Sequence, residues 1–192
     1  MRVVLLAGGK GTRLSEETSQ RPKPMVEVGG IPILVHIMRW YAASGHKHFI
    51  VACGHLGAVI KEYFANYRDR LSDFTINLSD GSVEYHGGPD NDWTVTLVDT
   101  GVETMTGGRL ARLAAYVGDE TFMMSYGDGV GNVDLQRLVD THRRRGRLAT
   151  VTAVRPPARF GSLVFDHDEQ VTAFAEKVQG AEAYINGGFF VL

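Results

Sequence analysis

The sequence has very little cysteine and no long apolar run, and both features exclude classes of protein. Cys53 is the only cysteine, so no internal disulfide can form. Its apolar neighbours at 49–52 predict a buried, unreactive thiol in a reducing compartment. Apolar runs reach five residues, whereas a membrane-spanning helix needs about 20 and the apolar core of a signal peptide about 7 to 15. We therefore predict a cytoplasmic protein without either segment.

An excess of charge of one sign is also missing. Twenty Lys and Arg residues against 22 Asp and Glu give a net charge of −2. No overall positive field therefore attracts nucleic acid or an anionic membrane. The basic run at 143–147 follows a predicted helix, where cations interact favourably with the negative end of the helix dipole. We predict neither a nucleic-acid nor a membrane partner.

Strand and helix patterns alternate along most of the chain. Strands are predicted at 3–7, 49–53, 121–126 and 149–154, and helices from Pro32 to Gly45, at 59–67, at 110–117 and around 135–139. The continuous apolar strands are typical of a parallel sheet buried on both faces, so we predict an α/β fold.

Two regions depart from this alternation of strands and helices. Between 74 and 99 three short alternating stretches, 74–78, 82–86 and 94–98, predict antiparallel excursions. The last third is predicted to be rich in strands. The length of 192 residues and the 44% hydrophobic content predict a single domain over 1–192. Because the last four residues form an apolar run that suits a sheet interior, we expect the domain to continue C-terminally.

A glycine-rich loop, residues 8–13, follows the first predicted strand. Its three glycines, one hydroxyl and two cations suit anionic oxygens, because glycines can take positive φ and consecutive N–H groups form an anion-binding nest. Leu14 stands where a dinucleotide fingerprint needs glycine, and the Gly-Lys-Ser/Thr of a P-loop is absent. The alternative is that Gly8 and Gly9 only turn the chain.

A lysine between two prolines lies a few residues downstream. Pro22 and Pro24 stiffen the backbone, and we predict a non-helical mount from which Lys23 projects. A rigid mount would limit the entropy lost on binding a ligand. The alternative is a solvated lysine in an ordinary loop.

Residues 6–14 together with 22–25 resemble the signature of the sugar-phosphate nucleotidylyltransferases. Further stretches resemble the glucose-1-phosphate cytidylyltransferase branch of that family: 15–18, 98–101, 105–109, 126–129 and 185–190. The resemblance runs from Met1 to Leu192. It implies a Rossmann-like, three-layer α/β/α sandwich with a mixed, mostly parallel sheet. It also implies that CTP and α-D-glucose 1-phosphate give CDP-glucose and pyrophosphate, in a homo-oligomer.

The resemblance assigns the substrates to numbered residues. It implies nucleotide binding by Leu6, Ala7, Gly8, Gly9, Lys10, Gly11, Thr12, Arg13, Lys23, Thr106, Arg109 and Gly127. It implies sugar-phosphate binding by Gly161, Glu176 and Lys177, with Val178 where the family usually has proline. Arg13, Lys23 and Asp128 are the predicted catalytic residues: Arg13 neutralises the leaving pyrophosphate and Lys23 the α-phosphate. The phosphate nucleophile is already ionised at neutral pH, so no general base is required.

Asp128 is the predicted ligand of Mg²⁺. It follows the predicted strand 121–126, and open α/β sheets bind ligands at the carboxyl ends of their strands. One or two carboxylates plus substrate phosphates usually hold Mg²⁺. The family uses a second, downstream aspartate, which we do not identify within this sequence. The alternative is that Asp128 caps the next helix.

The resemblance implies that Arg109 reads the cytosine base. Thr106 is a suitable N-cap, which would place Arg109 in the first helical turn, facing the mouth of the site. A guanidinium can donate to the cytosine acceptors, whereas uracil presents an N–H donor at one of them. The alternative is a solvated surface arginine.

Two other functions stay open. The first is a uridylyl- or thymidylyltransferase acting on another sugar 1-phosphate. The second is a non-catalytic nucleotide-sugar-binding or regulatory protein, which would bind nucleotide but release no pyrophosphate.

Overall fold

The fold is seen in a computed structural model that describes residues 1–10, 21–88, 92–155, 162–167, 170–175 and 184–192. The strands are β1 (Arg2–Leu6), β2 (Glu27–Val28), β3 (Ile31–Pro32), β4 (His48–Cys53), β5 (Asp73–Ile76), β6 (Val83–His86), β7 (Thr94–Asp99), β8 (Met123–Tyr126), β9 (Thr150–Val154), β10 (Ser162–Phe165), β11 (Val171–Ala175) and β12 (Ile185–Val191). The helices are α1 (Ile33–Ala43), α2 (Gly57–Ala65), α3 (Tyr67–Leu71), α4 (Thr106–Arg112), α5 (Ala114–Val117) and α6 (Leu135–Arg145).

Six strands form a mixed, mostly parallel sheet in the order β7-β4-β1-β8-β12-β9. β1 is central: Leu5 pairs with Val51 of β4 on one side and with Ser125 of β8 on the other, both in parallel. β12 runs antiparallel to β8 and β9. The carboxyl ends of β7, β4, β1 and β8 therefore lie along one edge of the sheet.

Both faces of this sheet are covered by helices. Val3 and Leu5 lie in one buried cluster with side chains from α1, α2 and α6, while Val4 lies in a second cluster with Leu113 and Val117 beside α4 and α5. Alternate residues of a strand point to opposite faces, so a strand covered on both faces has to be apolar throughout. The predicted three-layer α/β/α architecture is confirmed.

The prediction for residues 94–98 was wrong. Instead of joining an antiparallel excursion, β7 extends the main sheet in parallel with β4, with Val95 opposite Phe49 and Leu97 opposite Val51. Val95 and Leu97 pack on the first buried cluster and Val98 on the second. An edge strand that is only partly covered keeps polar residues between its apolar ones, and antiparallel strands show the same alternation.

The stretches 74–78 and 82–86 pair antiparallel as predicted, in β5–β6. In the last third, which was predicted to be rich in strands, β10 and β11 are also antiparallel to each other. The helix predicted over 110–117 is divided, since α4 ends at Arg112 and α5 begins at Ala114. Within the described ranges, no helix combines the length and apolarity needed to cross a bilayer.

Candidate active site

The candidate site lies where the central parallel strands end. The chain leaves β1 at Ala7 and Gly8, and the Gly8 carbonyl accepts a hydrogen bond from the His55 N–H, just after β4, at 3.1 Å. The Gly127 N–H, after β8, donates to Leu6 O at 2.9 Å. These contacts fix the three loops against each other, as expected for ligand sites at the carboxyl ends of parallel strands.

A cleft of about 260 Å³ opens between these loops, and we call it the glycine cleft. Of the residues predicted from the sequence, it is lined by Leu6, Ala7, Gly8, Gly9, Lys23, Thr106, Arg109 and Asp128. Pro24, Thr104, Met105 and Tyr126 complete the lining. The structure thus brings together groups that are distant in the sequence.

Arg109 is buried in the wall of this cleft, with only 5% of its surface exposed. Its Nη1 donates to Thr100 Oγ1 at 2.6 Å, to Gly101 O at 2.8 Å and to Cys53 O at 3.3 Å. Its Nη2 donates to Gly8 O at 2.8 Å and to Val102 O at 3.3 Å. These bonds join the ends of β1, β4 and β7, and they exclude the alternative of a solvated surface arginine. Thr106 is the first residue of α4, and the N-cap position belongs to Met105.

The tight packing around Arg109 explains why residues 8 and 54 are glycines. A Cβ on Gly8 would lie 2.1 Å from Arg109 Nη1, and one on Gly54 would lie 2.6 Å from the same atom. Neither Gly8 nor Gly9 is among the described glycines with positive φ. Gly8 is required for the close approach of the guanidinium, whereas Gly9 has open space where a Cβ would lie.

Burial shifts two pKa values next to the cleft. Desolvation lowers the pKa of the Arg109 guanidinium, and the nearby Arg112 lowers it further; an arginine nevertheless keeps its charge in proteins. Burial also raises the pKa of the Cys53 thiol from 9.0 to about 11. The thiolate is therefore not populated at neutral pH, which confirms an inert cysteine.

Lys23 is held by a rigid segment, as predicted, but its backbone conformation differs from the prediction. Lys23–Met25 form a single 3₁₀ turn after Pro22, with Pro24 and Met25 buried. A proline is tolerated at the start of a helix because the N–H that it lacks would be unpaired there. The buried residues fix the turn, and the Lys23 side chain, about one third exposed, reaches the cleft.

Lys23 forms an ion pair with the predicted metal ligand. Its Nζ lies 2.7 Å from Asp128 Oδ2, and the two side chains are 32% and 34% exposed. The alternative role for Asp128 is wrong, since Asp134 caps α6 by accepting a hydrogen bond from the Arg137 N–H at 2.9 Å. Asp128 is thus available to the cleft.

Two predicted residues lie beside the cleft rather than on its described wall. Lys10 pairs with Glu103 at 2.5 Å, and both side chains are largely exposed. Gly127 packs against β1, where a Cβ would lie 3.0 Å from Leu6 O. We therefore attribute its glycine requirement to strand packing.

A second cleft, of about 290 Å³, adjoins the first. We call it the β12 cleft: it is lined by Tyr126, Asp128, Gly129, Val130, Gly131, Asn132, Val133, Val154, Gly187, Gly188 and Phe189. Asn186 donates to the Tyr126 hydroxyl at 3.2 Å and accepts from the Gly188 N–H at 2.8 Å. Tyr126 and Asp128 line both clefts, so two ligands could meet at these residues.

Several predicted residues fall outside the described residues: Gly11, Thr12, Arg13, Gly161, Glu176 and Lys177. Other residues of the site were missed by sequence reasoning. They lie at the ends of β4 and β7: the Arg109 guanidinium donates hydrogen bonds to Thr100 and Gly101 and approaches Gly54 closely. Gly54 directly follows the predicted strand 49–53, and Thr100 and Gly101 lie two and three residues after the predicted stretch 94–98. These positions near strand ends were the signal available for finding them.

Comparison with known proteins agrees with this architecture. The nucleotidyl transferase family model matches residues 2–192. The glucose-1-phosphate cytidylyltransferase of Salmonella typhi is 54% identical over 193 residues, which cover 100% of this chain and 75% of that protein. A protein of Bacillus subtilis (strain 168) named "Probable glucose-1-phosphate cytidylyltransferase" is 44% identical over 192 residues, covering 100% of this chain and 74% of that protein.

A solved structure supports the fold independently. The crystal structure of HddC from Yersinia pseudotuberculosis matches with a TM-score of 0.63 at 24% sequence identity, covering 100% of this chain and 76% of that one. At this identity the likeness concerns the fold alone. The family match over almost the whole sequence, together with the nucleotidylyltransferase relatives, leads to one conclusion: this chain belongs to the nucleotidyl transferase family.

Proposed function

We propose that this protein transfers a cytidylyl group from CTP to α-D-glucose 1-phosphate, forming CDP-glucose and pyrophosphate. The observation that carries the proposal is the 54% identity, over the whole chain, to a glucose-1-phosphate cytidylyltransferase. The adjoining clefts agree with it, because a transfer between two phosphorylated substrates needs two sites with a common boundary. We assign the nucleotide to the glycine cleft and the sugar phosphate to the β12 cleft.

The reaction needs no proton transfer from the protein. A phosphate oxygen of the sugar phosphate attacks the α-phosphorus of CTP, forming a new P–O bond. The bond from that phosphorus to the bridging oxygen of the β-phosphate breaks, and pyrophosphate takes the electron pair. The second pKa of a phosphomonoester is about 6, so the nucleophile is ionised at neutral pH. Positioning and neutralisation of charge are the remaining tasks.

Cations of this chain perform the neutralisation in our proposal. Lys23, on its fixed turn beside the glycine cleft, contacts the α-phosphate during attack. Arg13 acts on the leaving pyrophosphate; it lies outside the described residues, and its role rests on the sequence motif. Removing one preorganised electrostatic group of this kind typically lowers the rate by about 10² to 10³.

Asp128 is suited to hold a magnesium ion. Its carboxylate is a hard oxygen donor at the boundary of the two clefts, and Mg²⁺ sites commonly use one or two carboxylates together with substrate phosphates. Among the described residues no group of three or more possible ligands occurs, which fits an ion held jointly with the nucleotide. When bound, Mg²⁺ would supply charge neutralisation on the phosphates.

The hydrogen bonds of Arg109 within the protein determine which of its N–H groups can contact the base. The two N–H groups on each terminal nitrogen already have the five protein oxygens as acceptors. A guanidinium has five N–H donors, so the Nε–H remains for a cytosine acceptor. We propose that this donor contributes to the preference for CTP, while Gly161, Glu176 and Lys177 bind the sugar phosphate as their motifs imply.

We also propose that the protein acts in the cytoplasm and self-associates. The inert Cys53 thiol supports a reducing compartment. Self-association is supported by the β5–β6 hairpin, where Phe74, Ile76 and Val83 share one face and are 44%, 47% and 43% exposed. Light scattering tests it: a monomer at micromolar concentration contradicts self-association.

A pyrophosphate-release assay tests the function. Purified protein with Mg²⁺ and glucose 1-phosphate is supplied in turn with CTP, UTP, dTTP and GTP. We expect the highest kcat/KM with CTP. An equal or higher value with UTP or dTTP contradicts the base assignment, and the absence of pyrophosphate with every nucleotide and sugar phosphate favours a binding protein.

Matched variants locate the activity in the clefts. We expect Lys23→Ala and Asp128→Asn each to lower kcat by about 10² to 10³. Lys47→Ala is the control, because Lys47 forms an ion pair of the same length, 2.7 Å, with Asp92 away from both clefts. Equal activities of Lys23→Ala and Lys47→Ala would contradict our assignment.

A further inference from the structure

The Lys23–Asp128 ion pair joins two groups that need different partners during the proposed reaction. The Lys23 ammonium lies 2.7 Å from the Asp128 carboxylate. Both residues are on rigid supports: Pro24 and Met25 beside the lysine are buried, and Gly127 beside the aspartate is bonded to β1. The fold therefore fixes the two backbone positions from which this pair forms.

A cation on Asp128 conflicts with Lys23 in its present position. A magnesium ion held by Asp128 would bind the carboxylate whose Oδ2 lies 2.7 Å from the Lys23 ammonium, so two positive charges would share one carboxylate. Two cations on one carboxylate repel each other. A cation and the Lys23 ammonium would therefore compete for Asp128, and the competition is relieved when another anion pairs with Lys23.

The triphosphate of a nucleotide bound in the glycine cleft would be repelled by the Asp128 carboxylate, because both are negatively charged. Three described residues that line the glycine cleft are of the charged types Lys, Arg, Asp and Glu: Lys23, Arg109 and Asp128. Arg109 is held by five protein oxygens, whereas the Asp128 carboxylate is the one ion-pair partner of Lys23 among the described residues. A phosphate that takes Lys23 leaves the carboxylate unpaired next to a polyanion, unless a cation arrives as well.

We propose that the Lys23–Asp128 pair couples the metal site to the nucleotide site, so that the cleft accepts the metal–triphosphate complex and resists either component alone. On binding, the ammonium exchanges its carboxylate for a phosphate oxygen, and the carboxylate exchanges the ammonium for the metal. This inference rests on the proposed function, from which it takes the ligands of the two residues. By thermodynamic reciprocity, each component raises the affinity for the other by the same factor.

Binding of Mn²⁺ without nucleotide tests the first half. Electron paramagnetic resonance of free Mn²⁺ is compared for the wild type, Lys23→Met and Lys47→Met. Opening a partly exposed ion pair reduces affinity by a small factor, so we expect Lys23→Met to bind Mn²⁺ about three- to tenfold more tightly than the wild type. Lys47→Met, which frees Asp92 from a pair of equal length, should bind within about twofold of the wild type.

Binding of inorganic tripolyphosphate in EDTA tests the second half, and it does not depend on which base the protein reads. Calorimetry should show Asp128→Asn binding about three- to tenfold more tightly than the wild type, because the lysine is free and the repelling charge is gone. Affinities of Lys23→Met for Mn²⁺ or of Asp128→Asn for tripolyphosphate that equal or fall below the wild-type values overturn the coupling. Absence of binding to these two variants overturns it too. A failed pyrophosphate assay instead overturns the proposed function, since neither binding measurement requires turnover.

Discussion

Replacing Gly8 by alanine should destabilise the protein strongly, although the substitution adds one methyl group. The new Cβ would lie 2.1 Å from Arg109 Nη1, 2.5 Å from its Cζ and 3.0 Å from the backbone nitrogen of Gly54. Ordinary contacts begin near 3.4 Å, so the guanidinium would have to move by about 1.3 Å. The end of an arginine side chain can often move that far at little cost.

Here the movement is costly because the guanidinium is 5% exposed and its nitrogens have five protein acceptors. A shift of this size breaks at least one bond to Thr100, Gly101 or Gly8 and leaves a buried oxygen unpaired. A hydrogen bond to a charged group contributes about 1.5–3 kcal/mol. We therefore expect Gly8→Ala to lower the free energy of unfolding by about 2–4 kcal/mol, or Tm by about 4–16 °C for a chain of this length.

Gly9→Ala is the matched control in the same loop. A Cβ there meets nothing within 4 Å, and the backbone φ is not positive. We expect its free energy of unfolding in urea to stay within about 0.5 kcal/mol of the wild type. Equal unfolding midpoints for Gly8→Ala and Gly9→Ala would refute the reasoning. In an Arg109→Ala background most of the Gly8→Ala penalty should disappear, since the two closest contacts of the new Cβ, both with Arg109, are gone.

Three further predictions concern stability. Asp134→Ala removes the N-cap of α6 and should lower the free energy of unfolding in urea by about 0.5–2 kcal/mol; an unchanged value would exclude the cap. Arg109→Lys should lower Tm markedly, because an ammonium cannot reach acceptors on three strand ends. A Tm equal to that of the wild type would contradict the role of Arg109 in joining these strand ends. The raised pKa of Cys53, about 11 against 9.0, means that its contribution to stability is complete below pH 9 and is lost as pH rises through about 11. Unfolding free energies measured from pH 8 to 11 should therefore fall more steeply for the wild type than for Cys53→Ala, and parallel curves would contradict the shift.

Much of the central fold could be predicted because burial on both faces leaves a clear pattern. β1 and β4 are continuous apolar runs, and loops that follow such strands are expected at one edge of the sheet. β7 could not be placed in the same way. As an edge strand with exposed or half-exposed positions, it alternates polar and apolar residues, and the sequence alone does not separate this pattern from that of an antiparallel strand.

The role of Arg109 could not be predicted for a different reason. Its acceptors are mainly backbone carbonyls, of Gly8, Cys53, Gly101 and Val102. Every residue has a backbone carbonyl, so the sequence does not indicate which carbonyls will accept a hydrogen bond from Arg109. The glycines that make room for it were visible, but their absent side chains admit several explanations. A glycine can be required by a positive φ, by the close approach of a ligand or by the close approach of a guanidinium, and the sequence does not distinguish these reasons.

The two described cations of the cleft wall are therefore held in contrasting ways, and the contrast predicts which of them responds to ligands. Moving Arg109 would break bonds to three strand ends in a dry environment, so its charge stays in place and contributes a constant field to the cleft. Within the part of the chain that the structure describes, Lys23 has one carboxylate partner and is one third exposed, so a phosphate can replace that partner at low cost. A positive charge that is fixed and another that can change partners suit different parts of phosphate transfer: the first attracts the polyanion, and the second can follow charge as it develops at the reacting phosphorus.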